Sequence, residues 1–125
     1  MLTIRVGGQE LGIRRLPADA ELPAWATSVG WLSVTRTPDE LSVVYPLAEG
    51  PATQGPSGPW RALTVEGPLD HDLVGVLASL SVPLAEAAVP IFVISTYDTD
   101  HVLVPASRLD AALEALTAAG HRVVS

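Results

Sequence analysis

The sequence contains no cysteine. That absence removes disulfides, thiolate metal sites, iron–sulfur clusters and cysteine nucleophiles, and it is compatible with a reducing compartment. Basic residues are scarce: seven Lys and Arg stand against fourteen Asp and Glu, a formal net charge of −7. Such a chain lacks the cationic footprint needed to bind nucleic acid or an anionic membrane surface. No apolar run reaches the ~18 residues needed to span a bilayer, and Met1-Leu2-Thr3-Ile4-Arg5-Val6 has no cationic start leading into a long apolar stretch. The expectation is a soluble, cytoplasmic protein. Catalytic signatures are missing too: there is no G-x-S-x-G, no H-E-x-x-H, no P-loop and no dinucleotide fingerprint, and Gly7-Gly8 lacks the spacing to cradle phosphate. An enzyme is not expected, and no cofactor is implied.

What is present is a core. The 125 residues are 48% hydrophobic and only 17% charged, which suits one domain or two fused half-size units. Composition shifts once, at Gly50-Pro51-Ala52-Thr53-Gln54-Gly55-Pro56-Ser57-Gly58-Pro59, which reads as a linker or exposed loop. It divides the chain into residues 1–49, the linker 50–59, and residues 60–125.

In the second part, residues 62–66 alternate with period two and Gly67-Pro68 stops them, as at the end of a half-buried strand. Leu73, Val76, Leu77, Leu80 and Leu84 then fall at helical spacing, with Asp70 as the expected N-cap. Pro83 removes the bond to the carbonyl of Ser79, so a kink or break is expected near Ser81. Pro90-Ile91-Phe92-Val93-Ile94-Ser95 reads as a central strand, and Thr96-Tyr97-Asp98-Thr99-Asp100 turns it back through His101-Val102-Leu103-Val104 as a hairpin. Ser107 and Asp110 have capping-box spacing, Leu109, Leu113 and Leu116 form a second helical stripe, and Gly120 stands where a helix end wants a left-handed residue. His121-Arg122-Val123-Val124 closes the order as a strand. The fold class is α+β, a ferredoxin-like βαββαβ unit with four antiparallel strands and both helices on one face.

The first part repeats a portion of this. Residues 31–44 align without a gap on 91–104 at an offset of sixty, and 11–17 resemble 62–68 at an offset of fifty-one. Two hydrophobic hairpins can also match by chance. The connecting helix of the first half must be short, over residues 22–26, and Leu2 to Val6 is the candidate strand to complete its sheet.

The runs Glu66-Gly67-Pro68-Leu69-Asp70-His71-Asp72-Leu73-Val74-Gly75-Val76-Leu77-Ala78 and Ile94-Ser95-Thr96-Tyr97-Asp98-Thr99-Asp100-His101-Val102-Leu103-Val104 resemble the ACT-domain family. Within it, the chain is similar to small bacterial proteins related to the CASTOR arginine sensors and to the regulatory part of aspartate kinase. The resemblance covers residues 60–124 well and the first half loosely, as a degenerate ACT-like half. It implies a regulatory sensor that binds a free amino acid and has no catalytic activity. It also implies a homodimer paired through sheet edges, with a regulated protein partner. The ligand contacts it implies are Asp70, His71, Asp72 and Leu73, then Val89, Pro90 and Ile91, then Thr96, Tyr97 and Asp100. Asp100 is the first choice for the ligand ammonium and Asp72 the second. Pro90 has no N–H to offer a ligand carboxylate, which leaves Ile91 as the donor there. Converging Asp70, Asp72, Asp98 and Asp100 would favour a cationic ligand.

Each residue also has a plainer reading. Asp70 and Asp72 can cap a helix, Asp98 and Asp100 can be turn residues, and Tyr97 can pack on a neighbouring strand. A metal site at His71 or His101 is not expected, because successive strand residues point to opposite faces. Trp25, Trp31 and Trp60 read as core or interface residues. The rival to an amino-acid sensor is an interaction module whose sheet edges pair with a protein and bind no small molecule.

Overall fold

The structure is a computed structural model, and it describes residues 1–27, 30–55 and 58–125. Two compact units are present, one of Met1–Gly8 with Arg61–Ser125 and the other of Gln9–Trp60.

The larger unit holds β1 (Thr3–Val6), most of β5 (Trp60–Val65), α1 (Val76–Glu86), β6 (Phe92–Ser95), β7 (Asp100–Pro105), α2 (Leu109–Ala118) and β8 (Arg122–Val124). From β5 onward the order is the expected βαββαβ. The sheet, however, runs β6-β7-β5-β1-β8, with five strands instead of four. β1 pairs antiparallel with β5 (Ile4 opposite Val65) and parallel with β8 (Ile4 opposite Val123). The segment expected to complete the first half's sheet therefore sits inside the second. Ile4 explains the placement: it is fully buried with Leu63, Val65, Val102, Val104, and with Leu80 and Leu84 of α1 and Ala112 and Leu116 of α2. Alternate strand residues face both helices, so the helices share one face.

Helix α1 differs from expectation at its start and in its middle. It begins at Val76 behind a left-handed Gly75 (φ 84°) with no side-chain cap, so neither Asp70 nor Asp72 caps it. It also continues through Pro83 to Glu86. The reason lies elsewhere in the chain. The Ser79 carbonyl, which a residue-83 N–H would ordinarily serve, accepts a bond from His121 Nε2 at 2.9 Å, while His121 Nδ1 accepts the Leu2 N–H at 3.1 Å. His121 is buried with both ring nitrogens used. Its neutral Nε2–H tautomer follows, because an amide can only donate and a carbonyl only accept.

No side-chain cap forms at α2 either; a short 3-10 turn over Ala106–Arg108 leads into it, so the expected capping box of Ser107 and Asp110 is not made. Gly120 is left-handed as expected (φ 96°), and the bonds Gly120 N–H to Thr117 and His121 N–H to Leu116 complete a Schellman end. α1 ends in the same way on Ala88 (φ 58°), through Ala88 N–H to Ala85 and Val89 N–H to Leu84.

The smaller unit holds β2 (Leu11–Leu16), β3 (Ser33–Arg36) and β4 (Leu41–Pro46) in the order β3-β4-β2, with single 3-10 turns at Ala24–Ala26 and Leu47–Glu49. The expected helix over 22–26 is thus one turn. Its core gathers Ala26, Leu41, Val43 and Tyr45. Within the expected linker, residues 51–54 are bonded to the sheet of this unit. Thr53 Oγ1 accepts the Ile13 N–H at 2.9 Å, Gln54 N–H donates to the Ile13 carbonyl at 3.0 Å, and the Tyr45 hydroxyl donates to the Pro51 carbonyl at 2.7 Å. Trp60, which pairs with Leu11 in β2, is largely buried.

The two hairpins do correspond, one residue away from the register expected. Ser33 faces Val44 and Phe92 faces Leu103, so the structural offset is fifty-nine and not sixty. In that register Val34, Thr37, Asp39, Val43 and Pro46 meet Val93, Thr96, Asp98, Val102 and Pro105. β2 and β5 are six residues each, at an offset of forty-nine instead of fifty-one. Hydrophobic alternation alone allowed the slip, although a shift of one residue turns every side chain to the opposite face.

Candidate functional site

Two loops of the larger unit meet: the one leaving β5 for α1 and the four-residue turn between β6 and β7. They are joined by backbone, since Leu69 N–H donates to the Asp98 carbonyl at 2.7 Å. The approach is close at Gly67, where an added Cβ would stand 3.0 Å from that same carbonyl oxygen. The turn is held from inside by Thr96 N–H on the Thr99 carbonyl at 2.9 Å, and Thr99 Oγ1 anchors it to the Val65 carbonyl at 2.6 Å.

Between the loops lies a cleft of about 240 Å³, lined by Leu69, Asp70, His71, Leu73 and Val76 on one side and residues 96–100 on the other. A shallower depression continues past Pro68 and Asp72. The structure thus brings Asp70, His71, Leu73, Thr96, Tyr97 and Asp100 together, with Asp72 on the adjoining rim. Val89, Pro90 and Ile91 are elsewhere, at the opposite end of β6; Val89 is buried in the core and Ile91 packs against it. Leu69, Val76, Asp98 and Thr99 line the cleft without having been singled out as contacts. Asp98 had a signal, an acidic residue in a turn beside Asp100, but turns take aspartate for their own reasons.

Three carboxylates, those of Asp70, Asp98 and Asp100, line the cleft, with no lysine or arginine among the lining residues. Asp100 is oriented by Ser95, whose hydroxyl donates to Oδ1 at 2.6 Å. Val76, the first residue of α1, lines the same cleft, and the N-terminus of that helix, which no side chain caps, carries the positive end of the helix dipole. Tyr97 does not pack on a neighbouring strand. It is 82% exposed and meets His71 edge-on, with ring centroids 4.5 Å apart, while His71 Nε2 donates to the Tyr97 carbonyl at 2.6 Å. His101, next to Asp100, shares a 2.8 Å bond between Nδ1 and Thr64 Oγ1. Burial lowers its pKa from the ordinary histidine value, against the opposing pull of Asp100. Among the described residues, no three His, Asp or Glu side chains gather as a metal site, and no helix is long and apolar enough to cross a membrane.

Residues 57–118 match the model of the ACT domain. This chain belongs to the ACT-domain family. A separate family model, described as an N-terminal domain, matches residues 9–49. Among curated proteins, 58 residues of this chain are 38% identical to the human protein named cytosolic arginine sensor for mTORC1 subunit 1, covering 46% of this chain and 18% of that protein. The mouse protein of the same name aligns over 103 residues at 28% identity, covering 80% of this chain and 30% of the relative. The chain therefore spans less than a third of the length of these curated relatives. Among solved structures, protein Atu0741 of Agrobacterium tumefaciens superposes with a TM-score of 0.85 at 34% identity, covering 98% of this chain and 92% of that one. Protein VC0802 of Vibrio cholerae shares the fold, with a TM-score of 0.74 at 18% identity over 94% of this chain and 89% of that one.

Proposed function

We propose that this ACT-domain chain binds a free amino acid in the cleft between the β5–α1 loop and the β6–β7 turn, reports its level to a protein partner in the cytoplasm, and carries out no chemistry itself. The observation that carries the reading is the cleft's polarity: an uncapped helix N-terminus at Val76 borders the same cleft as Asp98 and Asp100. A zwitterion matches both ends. Its carboxylate accepts from the first N–H groups of α1, where the dipole favours negative charge, and its ammonium meets Asp100, already oriented by Ser95. The remaining carboxylates at Asp70 and Asp98 favour a cationic side chain. The arginine-sensor name of the curated relatives supports the same ligand class. Leu73 and Val76 supply apolar contact for the ligand stem.

The test is a thermal-shift screen against the twenty common amino acids. At about a hundredfold excess over the dissociation constant, a ligand stabilises the fold by about 2.7 kcal/mol, a shift of several degrees in a domain this size. Asp100→Ala should abolish the shift, and Asp110→Ala on the outer face of α2 should keep it. Cooperative melting with no shift for any amino acid would sink the proposal and favour the interaction module.

A further inference from the structure

The strands of the smaller unit run β3-β4-β2, and the two edges are finished differently. β3 is four residues long with Val34, Thr35 and Arg36 exposed, and a short, charged edge strand offers little to a further strand. β2 is six residues long and pairs with β5 at one position among the described residues, Leu11 opposite Trp60. Beyond that point, Ile13 and Arg15 turn their backbone groups away from β4. The bonded pairs alternate with them: Leu47 N–H donates to the Glu10 carbonyl at 3.0 Å, and Pro46, opposite Leu11, has no N–H to give. An open edge of this length is a template for pairing with another chain.

Residues 51–54 occupy that edge. Thr53 Oγ1 accepts the Ile13 N–H at 2.9 Å, and the Gln54 N–H donates to the Ile13 carbonyl at 3.0 Å. Gln54 Oε1 accepts the Arg15 N–H at 2.6 Å, where a paired strand would place a backbone carbonyl. Side chains of the sheet hold the two residues before them: the Tyr45 hydroxyl donates to the Pro51 carbonyl at 2.7 Å, and Arg14 Nη1 to the Ala52 carbonyl at 2.8 Å. Thr53 is closely packed in turn by Gly58, where an added Cβ would stand 1.8 Å from the Thr53 methyl. We infer that residues 51–54 guard the β2 edge, taking up its outward amide groups so that no further strand adds there. The guard is not itself a strand. Pro51 has no N–H, and the Ile13 and Arg15 amides are met by a hydroxyl and a side-chain amide, so the segment ends the ladder instead of extending it. The Gly and Pro composition that reads as a linker, with polar Thr53 and Gln54 within it, suits the segment to this role.

The experiment is amide hydrogen exchange on the whole chain, resolved by residue, paired with light scattering at matched concentrations. No amino acid is added, so the result does not depend on the ligand reading. Wild type should protect the Ile13 and Arg15 amides. Thr53→Ala combined with Gln54→Ala should speed exchange at both by at least about tenfold, while Gly12 and Arg14, bonded to β4, keep their protection. The same double variant should rise in mean mass with concentration, above wild type, as uncovered edges pair. Gln54→Ala alone removes the acceptor of Arg15 and not that of Ile13, so it should speed the first amide and leave the second slow. It carries the test if the double variant loses protection throughout the sheet. Exchange at Ile13 and Arg15 as slow in the variants as in wild type would overturn the inference. So would fast exchange in a double variant whose mass stays at the wild-type value at every concentration.

Discussion

The hairpins at residues 33–46 and 92–105 are built alike, yet the cleft lined by Asp70, Asp98 and Asp100 lies at the turn of the second. Each joins four residue pairs through a four-residue turn, and each turn is closed by its first threonine: Thr37 N–H on the Glu40 carbonyl at 2.9 Å, and Thr96 N–H on the Thr99 carbonyl at 2.9 Å. They part where the preceding strand leads in. After β5 the chain has room for a loop and an eleven-residue helix, whose first residue, Val76, lines the cleft; after β2 the described residues form a single 3-10 turn before β3. At the position matching Ser95, the smaller unit has Arg36, whose guanidinium donates to the carbonyls of Ala18 and Ala20, the latter at 2.8 Å. The hairpin is thus a scaffold that folds with or without a helix over it, and the cleft is a property of the inserted helix and the small residue beneath it.

The largest expected break in this comparison lies in the smaller unit, which substitutes a buried ring for a helix. Tyr45 fills the space over Gly12, where an added Cβ would stand 2.5 Å from the ring. Gly12→Ala should therefore cost about 3 kcal/mol in chemical denaturation, whereas Gly8→Ala, with nothing within 4 Å, should be close to silent. The larger unit has its own strut. His121→Ala leaves the Ser79 carbonyl and the Leu2 N–H without their partner and should cost about 2 kcal/mol. In a Pro83→Ala background the loss should shrink, because residue 83 regains an N–H for Ser79; equal losses in both backgrounds would refute the strut.

Smaller effects separate the two helix ends. Both are Schellman turns, but α1 places Ala88 and α2 Gly120 in the left-handed position. Ala88→Gly should stabilise by about 0.5–1 kcal/mol and Gly120→Ala destabilise by about 1 kcal/mol, both read as shifts in denaturant midpoint. The smallest expected effect concerns His101. Its folded pKa lies below the unfolded value, so the neutral ring contributes stability that is present above the unfolded value and lost as pH falls through the folded one. His101→Gln should flatten the loss of stability on acidification below pH ~6.5, and a slope identical to wild type would remove the histidine from the account.

The order of elements was legible because each rests on local periodicity: the alternation at Leu63 and Val65, the stripe through Leu80 and Leu84, the left-handed Gly120. So was most of the cleft, since residues 70–73 and 96–100 are the two loops that a βαββ order brings to one end of the sheet. What misled were signals whose partners are distant. Asp70 had the look of a helix cap, but Gly75 turns the chain and delays the helix to Val76. Pro83 had the look of a break, but His121, forty-two residues away from Ser79, takes over the missing bond.

By itself, the sequence determined the α+β class, the absence of thiol chemistry, the acidic charge and the two loops that carry the site's polar groups. These follow from composition and from contacts within a few residues. Only the tertiary structure decided that β1 joins the larger unit, that the hairpins correspond at fifty-nine, that Asp98 joins Asp100 in the cleft while Val89 and Ile91 do not, and that residues 51–54 cover the edge of β2. Pairing between strands sixty residues apart, and the covering of a strand edge by a segment forty residues away, are set by which surfaces meet when the chain closes, and no local pattern encodes that.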